Sequence, residues 1–148
     1  MNRFLFLGTG SSLGIPMVGC SCSVCSSMNL RNRRMRTSAW VEVKGHRWLV
    51  DVGPDFREQA LRFGIQKLDG VILTHAHHDH TAGLDDLRAV WYKRSMPLPI
   101  FLSSDTANEV RERFSYLFAE NEETALAKGL VKFTLFSQLH GKVCDEWG

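Results

Sequence analysis

The stretch Thr74-His75-Ala76-His77-His78-Asp79-His80 limits what this chain can fold into more than any other. Four of the six histidines lie inside it with one carboxylate, directly after the apolar run Gly70-Val71-Ile72-Leu73. Imidazoles gathered this way serve packing poorly and metal binding well. The neutral ring is the commonest metal ligand, and its ordinary pKa of about 6.5 leaves it mostly neutral at pH 7. In an extended loop, residues two apart project to the same side. His75 and His77 can therefore share one metal ion. Asp79 and His80, where the chain turns, can face a second. A helix is expected from Thr81 to Arg88, so the loop joins a buried strand to a helix.

The rest of the chain reads as one domain, residues 1–148. At 44% hydrophobic it can build a core, and a formal net charge of only +2 does not make the whole molecule a magnet for polyanions. No apolar run approaches the ~20 residues of a membrane span. The N-terminal Met1–Gly8 is apolar but short and leads into glycines, so no signal peptide is expected. A cytoplasmic setting follows, in which the four cysteines suit reduced thiols or metal ligands better than disulfides.

Periodicity predicts a buried strand from Arg3 to Leu7, then strands at Thr37–Val43 and His46–Val50 joined by a Lys44-Gly45 turn. A helix is expected from Asp55 to Phe63, capped by Asp55, ended by Gly64, with Phe56, Ala60 and Phe63 on one face. After the histidine loop come a short strand at Ile100–Leu102, a helix from Ser104-Asp105-Thr106 to about Phe114, a polar stretch at Glu120–Glu123 and a strand at Leu130–Phe136. Trp91, Tyr92, Phe114, Tyr116 and Phe118 are expected in the core or as pocket wall. Strands followed by alternating strand and helix indicate α/β or α+β layering.

Three further clusters carry chemistry. Cys20-Ser21-Cys22-Ser23-Val24-Cys25 places three thiols within six residues. That spacing can hold a tetrahedral zinc with one more ligand from elsewhere, a closed and structural arrangement. Buried free cysteines or a redox pair are the alternatives. His46, His140 and Cys144 are the remaining candidates for the fourth ligand. The run Arg31-Asn32-Arg33-Arg34-Met35-Arg36 is either a solvated loop or a guide for a phosphate-bearing substrate. It lacks the interleaved aromatics that stack nucleic-acid bases, so nucleic acid is not expected as a partner. Gly8-Thr9-Gly10-Ser11-Ser12-Leu13-Gly14 is a tight turn or an anion-cradling loop. Asp51, at a strand tip before Gly53, either hydrogen-bonds loop backbone or takes part in the chemistry.

With Leu73-Thr74 before it and Thr81-Ala82-Gly83-Leu84 after it, the His75-x-His77-x-Asp79-His80 motif resembles the metal motif of the metallo-β-lactamase-fold hydrolases. Leu49-Val50-Asp51-Val52-Gly53 resembles that superfamily's aspartate-bearing strand end. More narrowly, Gly8–Ser12, the Gly19–Cys25 loop, Arg33–Ser38 and Asp51–Arg57 together look like the PhnP-type phosphodiesterase branch. The resemblance runs to about Leu102 and is looser beyond it.

It implies an α/β fold of the metallo-β-lactamase αββα type, of which this chain carries the first half, incomplete at the C-terminus. It implies a dinuclear catalytic site for Zn2+ or Mn2+ with His75, His77, Asp79 and His80 as metal ligands. Asp79 doubles as the catalytic residue that orients the nucleophilic water and accepts its proton. A structural Zn2+ on Cys20, Cys22 and Cys25 is implied too, with His78 outside the ligand set. The substrate would be a small or cyclic phosphodiester. The family draws further metal ligands from its second half, and here neither His140 nor Asp145 stands in a matching motif. An inactive zinc-binding fragment is therefore the alternative function. A half sandwich leaves a sheet face uncovered, so self-association into a homo-oligomer is expected.

Overall fold

The structure, a computed structural model, describes residues 2–91, 98–118 and 133–136. One sheet has six strands in sequence order: β1 (Arg3–Gly8), β2 (Ser38–Val43), β3 (His46–Val50), β4 (Gly70–Ile72), β5 (Leu98–Phe101) and β6 (Phe133–Phe136). The first three are antiparallel neighbours; from β3 to β6 each pair is parallel. Helices α1 (Phe56–Phe63), α2 (His78–Thr81), α3 (Leu87–Trp91) and α4 (Ser104–Arg113) fill the connections. This is the α/β arrangement the sequence predicts. Among the described residues, no helix is long and apolar enough to cross a membrane.

Register explains where the core lies. Leu5, Trp40, Leu49, Val71 and Ile100 stand opposite one another across five strands, so their side chains share one face. They join one cluster with Phe56 of α1, Leu87 and Val90 of α3, and Ala107 and Val110 of α4. The helices thus cover that face. The next row, Phe6, Ala39, Val50, Ile72 and Phe101, points the other way. There Phe4 and Phe6 are 59% and 64% exposed, their rings edge to face at 4.9 Å. The first strand is therefore a half-exposed edge strand and not the buried one expected from its composition.

Several boundaries follow local chemistry. Lys44 and Gly45 both have positive φ, 50° and 85°, the backbone twist a two-residue hairpin needs. Gly64 ends α1 in the left-handed conformation at φ 67°. Asp55 occupies the N-cap position of α1 but makes no capping bond. Its carboxylate instead takes the Arg36 guanidinium at 2.8 Å and the Arg36 amide at 2.7 Å. A charge-assisted pair outcompetes the neutral cap. On α1, Phe56 and Gln59 are buried while Phe63 is 36% exposed.

The single helix expected over Thr81–Arg88 is three pieces: α2, a 3-10 turn at Leu84–Asp86, and α3. The loop after β3 claims the backbone groups a continuous helix would use. Val52 N–H donates to His80 O, and Gly83 N–H donates to Val52 O. The expected strand at Ile100–Leu102 is β5, and the helix after it is α4, capped by Ser103 Oγ on Thr106 N–H. Phe114 and Phe118 pack against the core and Tyr116 is 55% exposed. Tyr92, Glu120–Glu123, residues 130–132, His140, Cys144 and Asp145 lie outside the described residues.

Gly53 is where the β3 loop meets α2. A Cβ there would lie 2.0 Å from the Asp79 carbonyl oxygen, so one of the two backbones must shift. Gly53→Ala should lower stability by about 1–3 kcal/mol, the usual cost of overpacking. An unchanged urea midpoint would show that the two segments do not meet this closely.

Candidate metal centre

The histidine loop starts at the C-terminal end of β4, where α/β sheets gather their sites. The ring centroids of His75 and His77 lie 4.6 Å apart, those of His75 and His80 4.0 Å. Asp79 Oδ2 lies 3.2 Å from His80 Nε2. His75, Asp79 and His80 are half-buried; His77 and His78 are exposed. The four residues expected as catalytic metal ligands lie along this one loop, but among the described residues no three of their ligand atoms gather within 4.8 Å of one another.

What holds this arrangement is Asp51, 3% exposed and in the left-handed region at φ 58°. An aspartate tolerates that region better than most residues. Its Oδ1 accepts the Thr74 amide at 2.8 Å, and the Thr74 hydroxyl lies within 3.0 Å of both carboxylate oxygens. Oδ2 lies 2.7 Å from His80 Nδ1. An ionised carboxylate can only accept, so His80 Nδ1 must carry the proton. The Thr74 hydroxyl spends its one hydrogen on Asp51, so at 2.9 Å from His75 Nδ1 it accepts from that ring too. In its neutral form His75 then presents a bare Nε2 lone pair, the form that ligates metal, whereas His80 Nε2 lies 3.2 Å from Asp79 Oδ2, a contact that a bound ion would have to replace. Sequence reasoning left Asp51 open between a backbone and a chemical role and passed over Thr74. The signal was there, in a strand-end aspartate and in a threonine directly before the first histidine.

Two more contacts fix the loop backbone. Arg113 of α4 donates to Ala76 O at 2.6 Å, and Thr81 Oγ1 donates to His77 O at 2.9 Å. Nothing in the spacing of Arg113, far along the chain, announced this.

The cysteine loop is the second candidate. The Sγ atoms of Cys20, Cys22 and Cys25 all lie within 4.8 Å of one another, the one such group of three ligand atoms among the described residues. They could therefore hold one ion. Cys25 N–H points at Cys22 Sγ at 3.5 Å and Met17 N–H at Cys25 Sγ at 3.4 Å, the donors a thiolate needs. The Cys22 thiol is lowered to about 7, chiefly by the Cys25 amide. On Cys25 the Met17 amide acts to lower the pKa, but the neighbouring Cys20 and Cys22 thiols and slight burial carry the net shift upward. His46 does not join the group, and the other proposed fourth ligands lie outside the described residues.

Replacing Asp51 by Ala would strand the Thr74 N–H and the His80 ring without an acceptor. We expect a loss of about 1–3 kcal/mol, read from chemical denaturation; no loss would mean the network is dispensable. In metal-free protein at pH 7, iodoacetamide should modify Cys22 ahead of Cys25, because reactivity follows the thiolate fraction. Peptide mapping that finds Cys25 labelled first would contradict the assigned shifts.

Comparison with known proteins fits this geometry. The model of the beta-lactamase superfamily domain matches residues 46–143. An octanoyltransferase of Porphyromonas gingivalis is 44% identical over 120 residues, 80% of this chain and 24% of that one. A solved diphosphatase of the PhnP family is 36% identical with a TM-score of 0.79, covering 92% of this chain and 51% of that chain. Zn2+-bound PqqB from Methylobacterium extorquens shares the fold, at a TM-score of 0.65 and 23% identity, over 93% of this chain and 46% of that one. The chain thus spans about half the length of the two solved structures and a quarter of the octanoyltransferase. The match over two thirds of its residues shows that the chain belongs to the beta-lactamase superfamily, carrying the N-terminal part of the metallo-β-lactamase fold.

Proposed function

We propose that the histidine loop is the metal-binding part of a hydrolase site for small or cyclic phosphodiesters. The observation that carries this reading is the Asp51–Thr74 network, which commits the Nδ1 atoms of His75 and His80 and turns His80 Nε2 toward Asp79. Similarity to a diphosphatase of the PhnP family supports phosphate as the reacting group. His75 and His77 would hold one divalent ion, and Asp79 and His80 a second. Imidazole and carboxylate ligands suit Zn2+ or Mn2+. Such ions supply, when bound, an acidified water and positive charge that offsets the phosphate oxygens.

Asp79 would orient that water and take its proton. Asp51 would act through His80, keeping its ring in the ligating tautomer. His78 is exposed and has no part in this scheme. The octanoyltransferase match spans too little of that protein to argue for acyl transfer.

A second reading, a zinc-binding module without turnover, rests on ligand counting. Each proposed catalytic ion has two protein ligands here, where a catalytic zinc usually keeps three. Metal analysis and turnover of bis(p-nitrophenyl) phosphate separate the two. The hydrolase reading expects two or more ions per chain, and His77→Ala should cut turnover at least about 100-fold, since even outer partners of ligands are worth 10–100-fold. Zinc held only by Cys20, Cys22 and Cys25, with no turnover at full loading, would overturn it in favour of the module.

A further inference from the structure

The histidine loop is held from two sides, and the metal reading uses only one of them. Asp51 and Thr74 fix His80 and His75 through their Nδ1 atoms. At His77, which is exposed, the bonds fall on the backbone instead. Arg113 Nη1 donates to Ala76 O at 2.6 Å, and Thr81 Oγ1 donates to His77 O at 2.9 Å and to Ala76 O at 3.3 Å. The peptide group is planar, so holding the Ala76 oxygen also orients the plane that carries the His77 nitrogen and Cα. Ala76 is 5% exposed and lies between the two residues expected to share one ion, whose ring centroids are 4.6 Å apart. A rotation of that peptide would carry His77 away from His75.

Arg113 reaches the loop from a fixed mount. It stands in the last turn of α4, where a cation complements the helix dipole. Ser103 caps the start of α4, and Ala107 and Val110 anchor it in the core. Glu109, one turn back, lies 3.4 Å from Arg113 Nη2 and steadies the guanidinium. The bond to Ala76 O is charge-assisted, a kind roughly twice as strong as a neutral one. The Arg113 side chain is 42% exposed and gains little from burial, so its contribution lies in this bond.

We propose that Arg113 is a positioning residue of the metal site: it locks the Ala76–His77 peptide and so presets His77 against His75 before an ion arrives. The proposal rests on the reading of the histidine loop as a metal site. Arg113 acts through the loop backbone and touches neither ion nor substrate.

Zinc titration of the metal-free intact chain, followed by 1H–15N NMR of the imidazole rings, tests it, because each ring reports its own binding. We expect the His77 ring to bind zinc at least about tenfold more weakly in Arg113→Ala, the usual loss when a ligand's outer partner is removed. Arg113→Lys, which keeps a charged donor, should recover most of that loss. Zinc uptake at the cysteine loop, read at the Cys22 Cβ resonance, should be unchanged in both. If Arg113→Ala fails to fold by circular dichroism, Arg113→Gln takes its place. Unchanged zinc affinity at His77 in that variant would overturn the proposal and leave the metal reading standing. So would an equal loss in Arg113→Lys or a matching loss at the cysteine loop, either of which would make the effect one of overall folding. A wild-type chain in which neither His75 nor His77 responds to zinc would overturn the metal reading itself, and the proposal with it.

Discussion

The local order of this molecule depends on one buried carboxylate. Asp51 follows β3 in a left-handed conformation and turns its side chain toward the start of the histidine loop. Burying an aspartate is costly unless donors surround it, and here they do: the Thr74 amide, the Thr74 hydroxyl and the His80 ring. The same bonds that make the burial tolerable also commit the Nδ1 atom of each imidazole. Stability and metal competence are thus two consequences of one hydrogen-bond network. The close approach of Gly53 to Asp79 and of Gly83 to Gly53 lets β3 and α2 meet near enough for the network to close.

Around that point the sheet acts as a rigid mount. The row from Leu5 to Ile100 locks five strands against the helices, and both β3 and β4 deliver their ends to the same edge. Arg113 reaches from α4 to the Ala76 carbonyl and ties the loop to a helix that begins after β5. The opposite sheet face carries exposed Phe4 and Phe6. It is the side on which a two-layer sandwich of this fold would add its second sheet, and the chain spans about half of the solved relatives that have that length.

Much of this was legible in the sequence. The His75–His80 spacing, the Lys44-Gly45 turn, the Gly64 helix stop and the Cys20–Cys25 cluster each act through neighbours in the chain, so a window of a few residues contains the physics. What was hidden depends on distant partners. Asp55 reads as a helix cap until Arg36, nineteen residues earlier, claims its carboxylate. The Thr81–Arg88 helix reads as continuous until the β3 loop takes its backbone groups.

The central claim is that Asp51 and Thr74 set the ring protonation of His75 and His80 before any metal arrives. Long-range 1H–15N NMR of the metal-free protein, at a pH where the rings are neutral, reads this directly. The account requires both rings as the Nδ1–H tautomer, shifting toward the mixed pattern of free histidine in Asp51→Ala. Nε2–H rings in the wild-type chain, or the mixed pattern with Asp51 intact, would contradict it.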